Sequence, residues 1–168
     1  MKMERKFIKN QIFKNKKFEE NIFYEDLNLT PSLVNEVFNI GFIDDGLYYY
    51  FQRTNSIMKQ TNFNEKLLDI FKVLNNNYKL LYEKYPEEVE YLYITHLLRT
   101  ATLRFLDYDK SIIKKHLMKI NNEIKTKFPK WRRNGYYKKS SFKLKLICIL
   151  AYNRCYRILK LIKRITKI

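Results

Sequence analysis

The chain has 168 residues, of which 46% are apolar and 16% aromatic, enough for one folded domain and too many for a disordered chain. It carries a formal charge of +17, which points to an anionic partner such as a membrane surface or a nucleic acid. Only three glycines and three prolines occur, which disfavours an all-β protein with many tight turns and excludes phosphate-binding glycine loops.

The first third of the chain contains two predicted helices and one predicted strand. Apolar spacing predicts a short helix over residues 2–13 and a second over 27–39, and the tyrosine-rich run over 47–52 predicts a strand. Asp44 and Asp45 precede that strand in an Asp-Asp-Gly sequence, which is typical of a turn.

An acidic pair, Glu25 and Asp26, directly precedes the second predicted helix. Negative charge is favoured at a helix N-terminus, so we expect Asp26 to be ionised and able to accept a proton from a hydroxyl group within hydrogen-bond reach. Helix starts also select acidic residues for purely structural reasons. On the local sequence alone, helix capping and acid–base chemistry both stay open.

Helices are predicted to dominate after residue 60. The predicted ranges are 63–84, 87–106, 112–127 and 142–168. Pro86 suits the first turn of the second of these helices, and residues 129–135 are predicted to form a loop.

The first third of the chain contains three short segments whose sequences and order along the chain carry a resemblance to a known family. They are residues 6–13, residues 18–26 with the Tyr-Glu-Asp sequence, and residues 43–58 with Leu-Tyr-Tyr-Tyr, Gln-Arg and Ser-Ile sequences. This order resembles the C-terminal half of a bacterial family 2 glycosyltransferase with a GT-A fold. The resemblance implies an α+β, mostly helical fold, in which one or two strands near 41–52 are the C-terminal remnant of the GT-A fold.

The resemblance also implies roles for individual residues. In that family the aspartate of the Glu-Asp pair is the catalytic base, which corresponds to Asp26 here, with Glu25 as its supporting neighbour. Gln52, Arg53 and Ser56 match the second motif and are implied to lie near the donor diphosphate or the acceptor. The implied reaction transfers a sugar from a nucleotide-sugar to a hydroxyl of a surface polysaccharide or another glycan.

The chain departs from the family pattern in two respects. The family often has arginine where this chain has Phe51, and glycine where it has Asn55. Family members also carry a nucleotide-binding βαβ half and an Asp-x-Asp metal motif well before the Glu-Asp pair. Only 25 residues precede Asp26 here, whereas one βαβ unit needs roughly 30 or more.

We therefore expect a truncated or split form that is inactive alone. It would engage a nucleotide-sugar donor and a glycan acceptor only when an N-terminal half complements it. We expect no cofactor and no metal site in this chain, and a divalent metal such as Mg²⁺ or Mn²⁺ in the complete enzyme.

The charge is concentrated at the C-terminal end. Residues 125–168 hold 15 of the 34 basic residues and none of the 17 acidic ones, so they carry +15. The predicted helix over 142–168 places apolar residues on one face and basic residues on the other, the pattern of an amphipathic helix on an anionic membrane surface. The residues of the basic face are Arg154, Arg157, Lys160, Lys163, Arg164 and Lys167.

Two interpretations of this helix stay open. Its apolar face either contacts an anionic membrane surface or packs on the core of the protein. The longest apolar run, 146–152, has seven residues, well short of the roughly 20 that cross a bilayer. No secretory signal is found at the N-terminus, so we expect a cytoplasmic protein that is peripheral at the inner face of the cell membrane.

A nucleic acid is the less favoured partner. Residues 127–139 interleave Trp131, Tyr136 and Tyr137 with basic residues, which suits base stacking, but no motif of a nucleic-acid-binding fold accompanies them. His96 and His116 have no metal-ligand neighbours at suitable spacing, and His96 is expected in the core.

The sequence thus predicts three regions. Residues 1–60 are the acceptor-side part of a GT-A-like domain, 61–127 a helical region, and 128–168 a basic loop and amphipathic helix. The alternative to the glycosyltransferase is a non-enzymatic basic helical module that binds an anionic membrane surface or nucleic acid.

Overall fold

The computed structural model describes residue 13, residues 16–37, residue 41 and residues 62–166. The α-helices in these ranges are α1 (Glu25–Val34), α2 (Asp69–Leu81), α3 (Pro86–Tyr93), α4 (Thr102–Phe105), α5 (Lys110–Lys127), α6 (Gly135–Lys139), α7 (Phe142–Tyr152) and α8 (Tyr156–Thr166). The remaining elements are two 3-10 helices, Glu65–Leu68 and Trp131–Arg133, and a π-helix, Ile94–Ala101.

The predicted α+β fold class is wrong. Every regular element in the described ranges is helical, and none of them is a strand. The physical reason is that apolar residues from Leu67 to Leu159 recur at helical spacing and bury their faces against other helices, which leaves no sheet to complete the core. The predicted strand over 47–52 and all but the last residue of the helix predicted over 2–13 lie outside the described residues.

Three helix predictions of the middle region are confirmed to within a few residues. The range 63–84 is the first 3-10 helix followed by α2, and 87–106 is the continuous run of α3, the π-helix and α4. The range 112–127 is α5, which begins two residues earlier because the Asp109 side chain accepts a hydrogen bond from the Ser111 N–H at 2.8 Å.

One hydrophobic core joins the elements from α2 to α8. The π-helix lies at its centre, where Leu97 and Leu98 are fully buried, and α5 contributes Ile120 and Ile124. Ile147, Cys148 and Ala151 of α7 are buried in the same core. The apolar face of α7 is therefore covered by the protein itself.

The segment predicted as a loop over 129–135 is more ordered than expected. Buried Asn134 caps α6 by accepting a hydrogen bond from the Tyr137 N–H at 3.0 Å. Its amide also donates to the Glu87 carbonyl at 2.8 Å and to the Glu90 carboxylate at 2.9 Å, both on α3. These bonds fix α6 against α3.

The single helix predicted over 142–168 is two helices in the structure. The Arg154 N–H donates to the Ala151 carbonyl and the Cys155 N–H to the Leu150 carbonyl, the bond pattern of a Schellman motif that ends α7. Arg154 occupies the left-handed position of that motif at φ 60°. Glycine normally fills this position, so the break at Arg154 could not be predicted from the sequence.

Replacing Arg154 by glycine is expected to stabilise the fold by about 1 kcal/mol, because a side chain costs about that much in the left-handed region. Urea unfolding of the purified chain measures the effect. Asn153→Gly is the matched control, since Asn153 has φ −82° and gains nothing from glycine. Equal stability changes in the two variants would contradict the assignment of strain to residue 154.

No helix in the described part of the chain has the length and apolar content needed to cross a bilayer.

Candidate functional site

The acidic pair occupies the first turn of α1. The helix begins at Glu25, two residues before its predicted start, so both carboxylates lie at the positive end of the helix dipole. Both side chains are exposed. In the residues that the structure describes neither takes part in an ion pair, and Asp26 Oδ1 accepts a hydrogen bond from the Leu27 N–H at 2.8 Å.

Tyr24 sets the direction in which the chain enters α1. It has φ 66° and ψ 34°, a left-handed conformation that is uncommon for a residue other than glycine. Its ring packs against the core, its hydroxyl is hydrogen-bonded by Arg104, and burial raises the pKa of that hydroxyl. The packing of Tyr24 compensates its unfavourable backbone and holds the two following carboxylates in place.

Residues of α2 anchor the start of α1. The Phe23 N–H donates to Asp69 Oδ2 at 3.0 Å, and the Asn77 amide donates to the Leu27 carbonyl at 3.0 Å. The natural helical partner of that carbonyl is the N–H of residue 31, which Pro31 lacks. Asn77, only 1% exposed, thus satisfies a carbonyl that the proline leaves without a donor.

Replacing Asn77 by alanine is expected to destabilise the fold by about 1–3 kcal/mol, since it leaves the Leu27 carbonyl unsatisfied. A double-mutant cycle with Pro31→Ala measures this role, because alanine restores an N–H at position 31. The Asn77→Ala effect should be smaller in the Pro31→Ala background. Equal losses in both backgrounds would show that Asn77 acts in some other way.

His96 is near the acidic pair and lies in the π-helix. The negative charge of Asp26 acts on its imidazole, but burial is the stronger effect and lowers the pKa of His96 below its ordinary value. The imidazole is therefore neutral at pH 7. His96 is partly buried and is not among the fully buried residues, so the expected core position is met only in part.

The π-helix that carries His96 was not predicted. Its wider turn is visible in two side-chain bonds that span five residues, from Thr100 Oγ1 to the Thr95 carbonyl at 3.1 Å and from Thr102 Oγ1 to the Leu97 carbonyl at 2.9 Å. Such segments often occur at functional sites. No glycine or proline marks this one, and it packs against α7.

The lowered pKa of His96 predicts that the unfolding free energy decreases as the pH is lowered. The unfolded chain takes up the His96 proton below about pH 6.5 more readily than the folded chain, so stability is complete above that pH and is lost as pH falls below it. His96→Gln should flatten the dependence of unfolding free energy on pH between about 5 and 7.

His116→Gln is the control for this prediction. The pKa of His116 is also lowered, by burial and by the charges of Lys115 and Lys119, so part of the pH dependence remains in either single variant. An unchanged pH profile in His96→Gln would show that the imidazole titrates alike in both states.

The second motif cannot be placed relative to the acidic pair. Gln52, Arg53 and Ser56, together with the whole segment 42–61, lie outside the described residues. The proximity of the two motifs that the resemblance implies stays a prediction.

The basic residues of the C-terminal end fall into different environments. Arg154, Arg157 and Arg164 are exposed, while Lys160 is half-buried. Lys163 donates to the Leu103 carbonyl at 2.7 Å and pairs with Asp107, so it fastens α8 to the protein. Lys167 lies outside the described residues.

Two of the three aromatic residues considered for base stacking are buried in the core. Trp131 and Tyr137 are buried and contact each other edge to face, with ring centroids 4.9 Å apart. The Tyr136 hydroxyl donates to the Glu88 carboxylate at 2.7 Å. Two of these three rings therefore lie in the core and do not face a bound base, while Tyr136 is exposed.

Metal binding has no candidate among the side chains that can be assessed. No group of three or more His, Cys, Asp or Glu residues able to hold an ion occurs in the described ranges. The Mg²⁺ or Mn²⁺ that the resemblance implies for the whole enzyme therefore finds no ligand set there. A shallow groove beside α5 is lined by Lys114, Lys115 and Lys119 and does not include the acidic pair.

Comparison with protein-family models, with curated proteins and with solved structures finds no match to this chain.

Proposed function

We propose that this chain supplies the acceptor side of a nucleotide-sugar-dependent glycosyltransferase similar to family 2. The observation that carries the proposal is the placement of Glu25 and Asp26. Two exposed carboxylates stand in the first turn of a helix whose entry is fixed by Tyr24, Asp69 and Asn77. The pair also stabilises the helix start, because it lies at the positive end of the helix dipole and Asp26 Oδ1 accepts the Leu27 N–H, while the N-cap residue Tyr24 makes no side-chain cap bond.

The proposed chemistry assigns one step to Asp26. Its carboxylate accepts the proton of the acceptor hydroxyl while the hydroxyl oxygen attacks the anomeric carbon of the donor. The bond from that carbon to the nucleotide diphosphate breaks, and the diphosphate leaves with the electron pair. Asp26 suits the role because its side chain is accessible and because Tyr24 and α2 hold its helix rigidly.

Other residues of the proposal rest on resemblance alone. Arg53 would offset the negative charge of the leaving diphosphate, with Gln52 and Ser56 beside it. The donor's nucleotide would be bound by a βαβ half, and no such unit occurs among the residues described here. The proposal assigns that half, and its metal, to polypeptide outside these residues.

The first test is translation of the DNA immediately upstream of the Met1 codon in all three forward frames. The proposal predicts a βαβ half with an Asp-x-Asp motif. It also predicts that the purified 168-residue chain turns over no nucleotide-sugar by itself. Turnover by the chain alone, or an upstream region that encodes nothing of this kind, would contradict the proposal and favour a non-enzymatic basic module.

A further inference from the structure

The last helix, α8, is attached to the protein along one side only. Leu159 is fully buried, and Lys163 donates to the Leu103 carbonyl and pairs with Asp107. These contacts fix the inner side of α8 against the region of α4. The outer side of α8 is exposed in the part of the chain that the structure describes.

An apolar stripe runs along that outer side. Ile158, Leu161 and Ile165 lie at intervals of three and four residues, so they share one side of the helix. Their exposed fractions are 51%, 58% and 72%. Three branched apolar side chains in a row on an 11-residue helix are more than scattered surface residues, which occur singly.

Basic side chains border the stripe. Arg157, Lys160 and Arg164 each precede a residue of the stripe, so they are turned from it by about 100° and form one rim along its length. Arg157 and Arg164 are exposed and make no ion pair with any residue that the structure describes. Arg157 and Arg164 thus border the stripe with positive charge that no acidic residue in the described ranges pairs with.

We propose that the outer side of α8 docks on an anionic lipid bilayer, with the stripe in the acyl boundary and Arg157 and Arg164 at the phosphates. The helix would lie in the plane of the surface. This proposal is independent of the glycosyltransferase proposal, because it involves neither Asp26 nor sugar transfer.

Charge and size both favour this occupant. Residues 125–168 carry +15 without an acidic residue, which matches a surface of uniform negative charge. The stripe exposes only a few hundred Å² of apolar area, whereas a stable protein interface buries roughly 800 Å² on each partner. A bilayer requires no such area, because it surrounds each inserted side chain.

The structure also limits the proposed membrane-binding surface to α8, although the sequence predicted it over the whole range 142–168. The apolar residues of α7 that share the predicted face, Ile147, Cys148 and Ala151, are buried in the core. Lys163 is occupied by Asp107. The interface therefore comprises the second half of the predicted amphipathic helix and not the whole of it.

The test is co-sedimentation of the full chain with vesicles of phosphatidylcholine alone or with 30% phosphatidylglycerol. Binding to the anionic vesicles should be at least tenfold tighter and should weaken in 0.5 M salt. Arg157→Gln with Arg164→Gln should lower binding by about 25-fold, since each basic residue near such a surface contributes about fivefold. Leu161→Ser with Ile165→Ser should lower it at least tenfold.

Matched control variants distinguish binding through α8 from binding that any exposed basic or apolar residue would produce. Lys138→Gln with Lys143→Gln removes two exposed charges elsewhere, and Leu80→Ser removes a 56% exposed leucine from α2. Leu80→Ser should leave vesicle binding unchanged. Lys138→Gln with Lys143→Gln should weaken it far less than Arg157→Gln with Arg164→Gln. Circular dichroism verifies that each variant is folded, and the arginine pair provides a test that disturbs no buried contact.

Several outcomes would overturn the proposal. Equal binding to neutral and anionic vesicles would show that lipid charge does not drive binding. Equal losses of binding in the α8 variants and the control variants would show that binding does not depend on α8. If the chain were a dimer in solution and Leu161→Ser with Ile165→Ser converted it to a monomer, the outer side of α8 would be an interface between two copies of the chain. Binding of an RNA oligonucleotide through Arg157 and Arg164, without vesicle binding, would assign the rim to nucleic acid.

Discussion

Replacing Asp26 by asparagine is expected to lower sugar transfer by about 10²–10⁴-fold, because asparagine keeps the shape of the side chain but accepts no proton at neutral pH. The measurement is the rate of transfer by this chain assembled with the nucleotide-binding half that the proposal requires. Asp26 is exposed and forms no ion pair within the described residues, so the variant should remain folded and lose at most about 1 kcal/mol of unfolding free energy, from the missing charge at the start of α1.

Two neighbouring acids serve as controls for Asp26. Glu25→Gln should have a smaller effect, since the proposal gives Glu25 a supporting role and assigns the proton transfer to Asp26. Glu20→Gln alters an exposed carboxylate six residues away and should leave transfer unchanged. If Asp26→Asn retained the full rate, the acidic pair would be a structural feature of α1 only.

Replacing Trp131 by alanine is expected to cost about 3–5 kcal/mol of unfolding free energy, the usual range for removing a large aromatic from a core. Trp131 is 1% exposed. Its ring contacts Tyr137 and Tyr152, with centroid distances of 4.9 and 5.5 Å, and the Arg132 guanidinium lies 5.2 Å from its centroid. It thereby joins the second 3-10 helix to α6 and α7.

Urea unfolding measures this loss, with Trp131→Phe and Arg133→Ala as comparisons. Phenylalanine should recover part of the stability, and Arg133, which is exposed, should contribute little. A Trp131→Ala chain as stable as the original would show that Trp131 lies at a surface, where it could stack on bases.

The sequence predicts well what depends on local spacing. The helices of the middle region follow from apolar residues three and four apart, and Pro86 correctly indicates the start of α3. The position of the acidic pair at a helix start is likewise local, because acidic residues and the apolar period that follows are adjacent along the chain.

Features that depend on distant contacts were not predictable in this way. Arg154 in a left-handed conformation divides the C-terminal helix into α7, which contacts the π-helix, and α8, which contacts α4. Asn77 lies 50 residues from Leu27, and nothing in its sequence neighbourhood signals that it replaces the N–H missing at Pro31. The fold class was wrong for a related reason, since the family resemblance implied strands that the described helical core does not contain.

The predicted basic helix likewise combines a feature that the sequence predicts with one that depends on distant contacts. Its amphipathic pattern is visible in the sequence, but the pattern alone does not distinguish an apolar face that meets the core from one that meets lipid. The structure assigns the face of α7 to the core and leaves Ile158, Leu161 and Ile165 exposed on α8. Only the packed positions of neighbouring helices supply this information.

The central claim is that this chain carries the catalytic base of a sugar transfer. It is tested most directly by following radiolabelled sugar from a nucleotide-sugar into glycan, with and without this chain, in the presence of the nucleotide-binding half. We predict that label enters glycan only when both are present, and that the Asp26→Asn chain does not support transfer. Full transfer without this chain, or none when both folded parts are combined, would contradict the claim.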